Sequence, residues 1–282
     1  MSKFDRITIV GLGLIGGSLG MAIKRHRLAS EVIGYSRKPS TLRMAKRLRA
    51  IDTGTTDLRR AVQGTDVVIL ATPIDAIVSV AKCAAAAMPV GAILTDVGSS
   101  KGQIVKALEG ALPRRVAFIG GHPLAGSEQR GLEASCADLF DGSLCVLTAT
   151  SRTNRRALHA VKRLWSSVCG RVVVMSPQRH DRLLAMMSHL PHLIAYSLVA
   201  AASPDELPLA PRSFREVTRI ANSDPKLWDD IFVSNRAALL AAMNRFERHW
   251  RTLRAPLKRS DRAALRRLLS AAQRKRHAIK DP

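Results

Sequence analysis

The sequence is poor in aromatic residues, at 4% of its 282 positions, and in acids, with 22 Asp and Glu against 45 Lys and Arg. Its four cysteines (Cys83, Cys136, Cys145 and Cys169) show no CxxC and no paired metal-ligand spacing. This excludes a disulfide scaffold or zinc module; reduced, buried thiols and no metal site are expected. The longest uncharged stretch, Ile7 to Ile23, contains five glycines and no small-residue cleavage site. Its cations, Lys24, Arg25 and Arg27, follow the apolar run, the wrong side for a signal peptide. Nothing else approaches the roughly 18–20 apolar residues that a membrane span needs, so a cytoplasmic protein is expected. No internal repeat or low-complexity tract is present.

What the chain has in excess is positive charge, a formal +23. It thickens from Arg251 to Lys280, in RTLRAPLKR, RAALRR and QRKRH. No zinc-finger spacing, RNP-type aromatic motif or helix-turn-helix accompanies it, so specific nucleic-acid binding is not expected. A solvated basic surface is the plain reading, and its field would attract an anionic substrate and cofactor. Hydrophobic residues, at 46%, are ample for a core, and the length fits two domains.

The stretch that organises the chain is ITIVGLGLIGGSLGMAI. Ile7, Ile9 and Val10 read as a strand, Gly11-Leu12-Gly13-Leu14-Ile15-Gly16 as a tight turn, and Leu19 and Ile23 as one helix face. Gly11 lets the chain turn, Gly13 lets a pyrophosphate approach the backbone, and Gly16 lets the helix lie close on the strand. The helix N-terminus then offers free N–H groups and the positive end of its dipole to phosphates. Glu31 to Tyr35 is the second strand. At its end an acid would bind the ribose hydroxyl of NAD; here stand Ser36, Arg37 and Lys38, which favour NADP, with NAD the second choice.

Ser40 to Ala50 reads as a helix, Asp66 to Ala71 as a buried strand ending at Thr72-Pro73 beside the cofactor cleft, and Ile74 to Met88 as a helix. The strand Ala92 to Asp96 runs into Val97-Gly98-Ser99-Ser100-Lys101 and then a helix to Leu108. Ser99, at a strand end, reads equally as a ligand contact or an N-cap. The strand Val116 to Gly120 is followed by a turn containing His122 and Glu128. His122 reads either as a proton acceptor or as a structural loop histidine. Ser143 to Leu147 and Arg171 to Met175 are late strands flanking a helix from Asn154 to Val168. Alternation then stops. His180 to Ala201, Ser213 to Ala221, Trp228 to Trp250 and Arg262 to His277 read as helices, with a proline-rich loop (Pro204 to Pro211) after the first. The division is therefore 1–175, a Rossmann-type α/β dinucleotide-binding domain, and 176–282, an all-α domain whose apolar stripes predict a homodimer.

Taken in order, GLGLIGGSL (Gly11 to Leu19), DVGSSK (Asp96 to Lys101), GGHPLAGSE (Gly120 to Glu128), SHLPH (Ser188 to His192) and FREVTRIANSDPKLWDDI (Phe214 to Ile231) resemble the prephenate/arogenate dehydrogenase family. The resemblance covers nearly the whole chain, and its last three motifs are the specific ones. It implies oxidative decarboxylation of a cyclohexadienyl substrate in tyrosine biosynthesis, with an active site between a Rossmann domain and a helical dimerisation and substrate-binding domain. It also implies roles. His122 is the family's catalytic histidine and Ser99 the serine that contacts it and the substrate hydroxyl. Arg219 binds a substrate carboxylate, His189 and His192 lie by the site, and Glu128 lies near its entrance.

Three departures stand out. Ser100 replaces a common valine, Glu216 replaces a common aspartate, and the strand-two acid of NAD-using members is absent. Retention of Glu128 and His192 leans toward prephenate, with arogenate also accepted. The runner-up is an NADP-linked dehydrogenase of a modified prephenate in secondary metabolism. A non-catalytic NADP- or nucleic-acid-binding protein is a third reading, which the intact Ser99, His122 and Arg219 oppose.

Overall fold

Ile7, Ile9 and Val10 are fully buried because their strand lies inside a sheet covered on both faces. The computed structural model describes residues 4–126 and 129–279. Its eight strands are β1 (Phe4–Val10), β2 (Ala29–Tyr35), β3 (Thr53–Thr55), β4 (Val67–Leu70), β5 (Ile93–Asp96), β6 (Ala117–Pro123), β7 (Leu144–Thr148) and β8 (Arg171–Met175). They lie in the order β3-β2-β1-β4-β5-β6-β7-β8. The first six run parallel, β7 is antiparallel to β6, and β8 is parallel to β7. The order reverses between β1 and β4, where ligands bind at the carboxyl ends of such a sheet.

Parallel strands need crossover helices, and these cover both faces. They are α1 (Leu14–Arg25), α2 (Pro39–Arg47), α3 (Leu58–Val62), α4 (Ile74–Ala87), α5 (Gly102–Leu108) and α6 (Arg155–Ser166). The period of two sorts each strand between two cores. Val67 and Ile69 join Ile7, Ile9, Leu19, Ile23 and Trp165 on one face; Val68 and Leu70 join Ile77, Leu94 and Ile104 on the other.

The helical half begins directly after β8. It comprises α7 (Pro177–Leu184), a π-helical turn (Ala185–His189), α8 (Leu190–Ala201), α9 (Arg212–Thr218), α10 (Pro225–Ser234), α11 (Arg236–Lys258) and α12 (Arg262–His277). Among the described residues its buried apolar cluster is Ala185, Leu190, Leu239 and Ala242. Met187, Leu240, Phe246, Trp250, Leu257 and Leu269 are meanwhile exposed on its surface.

Several expectations need correction. Short β3 and α3 were not foreseen, because three-residue strands and five-residue helices carry too little periodicity. The strand expected to stop at Gly120 continues through His122 to Pro123, because His122 pairs with Val146 of β7. The single helix expected from Trp228 to Trp250 is two, broken at Asn235. Of the four free cysteines only Cys145 and Cys169 are buried; Cys83 and Cys136 are exposed. Among the described residues one helical run, Pro177–Ala201, is long and apolar enough to cross a membrane by length and composition, against the expectation that no second stretch would be.

Trp165 is fully buried, meets Phe140 edge-on with ring centroids 5.8 Å apart, and leaves its indole N–H without a partner among the described residues. Trp165→Ala is expected to cost about 3–5 kcal/mol in urea unfolding at fixed protein concentration. Trp165→Phe keeps the ring and removes the unsatisfied donor, so its cost should stay below about 1.5 kcal/mol. Equal losses for the two would contradict this packing.

Candidate active site

The glycine turn behaves as its sequence requires. Gly11 has φ +99°, and a Cβ there would come within 2.5 Å of the Ala71 carbonyl oxygen. A Cβ on Gly16 would lie 1.9 Å from the Gly11 carbonyl oxygen, so α1 packs too close to the turn for any side chain. Gly13 has nothing within 4 Å of where its Cβ would be: open space remains above the backbone. Leu14 and Ile15 form the first turn of α1, which has no side-chain cap and no acid. Its N–H groups and dipole are therefore available to a phosphate. Across the crevice Thr72, at the end of β4, buries a hydroxyl with no partner among the described residues, and Pro73 starts α4. These features fit a dinucleotide.

At the end of β2, Ser36 is half-buried while Arg37 and Lys38 are exposed, and the Lys38 amide donates to Ser36 Oγ at 3.2 Å. That turn offers a hydroxyl and two cations, with no carboxylate of its own.

The second part of the site is a buried polar cluster where β5, β6 and α7 meet. β6 carries His122, and α7 carries His180 and Asp181. His122 Nδ1 lies 2.9 Å from His180 Nε2, and His180 Nδ1 lies 2.8 Å from Asp181 Oδ1. Asp181 also accepts the backbone amides of Lys101 and Gly102, each at 2.8 Å. A Cβ on Gly102 would come within 2.6 Å of Asp181 Oδ2, so only glycine lets the carboxylate seat there. Below it, the fully buried Lys101 ammonium pairs with the fully buried Asp96. Asp96 also accepts the amides of Gly98 at 2.9 Å and Gly121 at 3.2 Å, tying the ends of β5 and β6 together.

Asn235, at the break between α10 and α11, donates its amide to the Asp181 carbonyl at 2.9 Å and to His189 Nδ1 at 3.2 Å. His189, in the π turn, stands edge-on to Trp228. His192 stacks on the same indole at 3.5 Å and donates from Nδ1 to the Ser188 carbonyl at 2.9 Å. Arg219 opens a 3₁₀ turn, Arg219–Asn222, after α9, near enough to His192 to influence its charge.

Burial dominates the electrostatics. It lowers the pKa of His122 well below the usual histidine value, and His180, Lys101 and His189 add to the effect. Burial, then His180, pushes His189 down to about 4. Burial also lowers His192, with Arg219 acting in the same sense. For Asp181 burial pulls upward. The hydrogen bonds from His180, Lys101 and Gly102 outweigh it and hold the carboxyl below its ordinary range.

The sequence-predicted residues are thus partly assembled. His122, His189 and His192 share this region with Arg219. Ser99 is half-buried in the turn after β5, and no hydrogen bond joins it to His122 among the described residues. Glu128 lies outside the described residues. Ser100, where valine is common, is fully buried with its hydroxyl unpartnered among them. Glu216 pairs with Arg212 at 2.7 Å, while Arg215 donates to the Ala210 carbonyl. Sequence reasoning missed His180, Asp181 and Asn235. The adjacent His-Asp pair just after Ser176-Pro177 was the available signal, and it was read as an ordinary helix start.

Comparison with known proteins accounts for both halves. The family model for the prephenate dehydrogenase nucleotide-binding domain matches residues 19–174, and that for the prephenate dehydrogenase dimerization domain matches residues 176–271. The chain is 35% identical over 287 residues to the cyclohexadienyl dehydrogenase of Zymomonas mobilis, covering 99% of this chain and 98% of the relative. Prephenate dehydrogenase from Aquifex aeolicus, solved with hydroxyphenyl propionate and NAD+, is 34% identical with a TM-score of 0.91 over 99% of both chains. Synechocystis arogenate dehydrogenase is 29% identical with a TM-score of 0.85, over 97% of this chain and 99% of that one. Both domain models match in order along one chain whose glycine turn and buried histidine follow strands of the same sheet, and the protein belongs to the prephenate/arogenate dehydrogenase family of nicotinamide-dependent oxidoreductases.

Proposed function

We propose that the protein oxidatively decarboxylates prephenate, and arogenate as a second substrate, with NADP as the preferred hydride acceptor. It would do so in the cytoplasm as a homodimer, with residues 1–175 holding the cofactor and 176–282 supplying the dimer contacts and much of the substrate site. The observation that carries this reading is His122. It is a buried histidine, kept neutral by its surroundings, at the carboxyl end of a strand in the same sheet that carries the glycine turn.

The bound nicotinamide would supply a hydride acceptor. His122, as a neutral base, takes the proton of the ring C4 hydroxyl as hydride leaves C4, turning that carbon into a carbonyl. The ring carboxylate then leaves as CO2. Its bonding electrons complete the aromatic ring, and the resulting phenolate recovers the proton. Ser99 would share the C4 hydroxyl. Arg219 would hold a substrate carboxylate bidentately, with His192 beside it and His189 bracing the wall. Glu128 would lie at the entrance. Retention of Glu128 and His192 supports prephenate as the better substrate. Ser36, Arg37 and Lys38 support NADP: a 2′-phosphate would meet two cations and a hydroxyl there.

The exposed apolar side chains of the helical half, beside its small core, support the homodimer. The cytoplasmic reading is supported by the polar side chains His180, Asp181, His189 and His192 on Pro177–Ala201, the one run among the described residues apolar enough for a membrane.

Four outcomes follow, each read from reduced cofactor appearing at about 340 nm with purified protein and prephenate or arogenate. His122→Asn should lower kcat by about 10²–10⁴-fold while cofactor affinity stays unchanged. Because the working form of His122 is the neutral one and its pKa is lowered, kcat/KM should hold level through pH 6.5 and fall only in more acid solution. A profile that falls with an ordinary histidine pKa would contradict the buried base. Arg219→Ala should raise KM for substrate about 10- to 100-fold with folding intact, the size of a lost charge-assisted hydrogen bond. Arg37→Ala with Lys38→Ala should weaken NADP about 10-fold or more and leave NAD nearly unchanged. A clear preference of the unaltered protein for NAD would overturn the cofactor assignment.

A further inference from the structure

The proton position on His122 is settled by its neighbours. Asp181 is held as an anion by three donors, so it can only accept hydrogen bonds. His180 Nδ1, 2.8 Å from Asp181 Oδ1, must therefore carry a proton. A neutral His180 then turns a lone pair at Nε2 toward His122 Nδ1, 2.9 Å away. Two lone pairs cannot face each other at that distance, so His122 Nδ1 carries the proton of this contact. Its Nε2 is left with the lone pair.

We propose that His180 and Asp181 are positioning residues for the reaction, fixing His122 as its Nδ1–H tautomer so that Nε2 is the only ring atom able to accept a proton. The proposal rests on the reading of His122 as the acceptor of the substrate hydroxyl proton. It gives His122 an orientation that its own strand does not supply.

The groups around the relay favour this state. His180 faces Asp181, Lys101 and Asp96; His122 faces His180, Lys101 and His189. Burial lowers the pKa of His180, and Lys101 acts in the same sense, against the pull of Asp181 and Asp96. His180 is thereby neutral at neutral pH and does not reverse the relay by donating from Nε2. When His122 gains its second proton in the reaction, its Nδ1–H bond to His180 strengthens. The anionic Asp181 then stabilises the new charge from the far end of the chain. The relay also spans the two halves, since His122 belongs to β6 while His180 and Asp181 belong to α7.

The direct test is nitrogen NMR of the full-length protein with isotope-labelled histidine at neutral pH, the His122 signals being assigned by their loss in His122→Asn. The expected result is a protonated, pyrrole-type Nδ1 and an unprotonated, pyridine-type Nε2. The opposite pattern, or signals averaged between the two, overturns the proposal. The kinetic arm compares His180→Leu with His180→Gln, whose side-chain carbonyl can still accept from His122. His180→Leu should lower kcat about 10- to 100-fold while KM for prephenate changes less than about 3-fold and cofactor affinity is unaltered. His180→Gln should recover most of the lost rate. Equal rates for the two variants overturn the positioning role. An unaltered protein that shows the expected nitrogen pattern but turns over neither prephenate nor arogenate sinks the functional reading instead.

Discussion

The two halves of the molecule meet on one buried carboxylate. Asp181 enters from α7 and is received by two consecutive backbone amides, Lys101 and Gly102, at the start of α5. A buried carboxylate is costly unless its oxygens are satisfied. Here His180 also donates to it, and Asn235 holds its backbone carbonyl from behind. That set of bonds ties α7, which carries His180, and the break at Asn235, which holds His189, to the start of α5.

The Asp96–Lys101 pair beneath it sets the chemical character of the region. Both side chains are fully buried, and Asp96 also receives amides from Gly98 and Gly121. Burial lowers the pKa of His122 and His180, and the cation of this pair adds to the effect, while the paired aspartate prevents Lys101 from being an isolated charge. Burial and this cation act in one direction on His122, both lowering its pKa. The large positive charge of the rest of the surface is remote from that logic; most of it stands on exposed helix faces.

What could be read from the sequence was whatever depends on local pattern. Gly11, Gly13 and Gly16 announce a strand, turn and helix; the structure shows a steric need at Gly11 and Gly16 and open space at Gly13. The buried strands declare themselves as continuous apolar runs. The end of β6 was read as a loop because its pairing partner, β7, lies more than twenty residues onward, and an antiparallel return has no signature inside GGHP. The break at Asn235 has neither glycine nor proline to mark it. It is maintained by tertiary bonds from the Asn235 side chain to Asp181 and His189. His180 and Asp181 were invisible for a related reason: on a helix start, a histidine and an aspartate look like solvent-facing residues until another domain covers them.

The π-helical turn between α7 and α8 bears on how this helical run tolerates change. A π turn accommodates one extra residue per turn, and an α-helix advances about 100° for each residue. Ala185–His189 therefore sets the angular phase between His180 and Asp181 on one side and His192 on the other. Rewinding this turn as regular α-helix with no residue removed would turn the two groups about 100° relative to each other, even though every side chain was kept. The winding of this segment thus sets how His180, Asp181 and His192 are presented to the rest of the buried cluster.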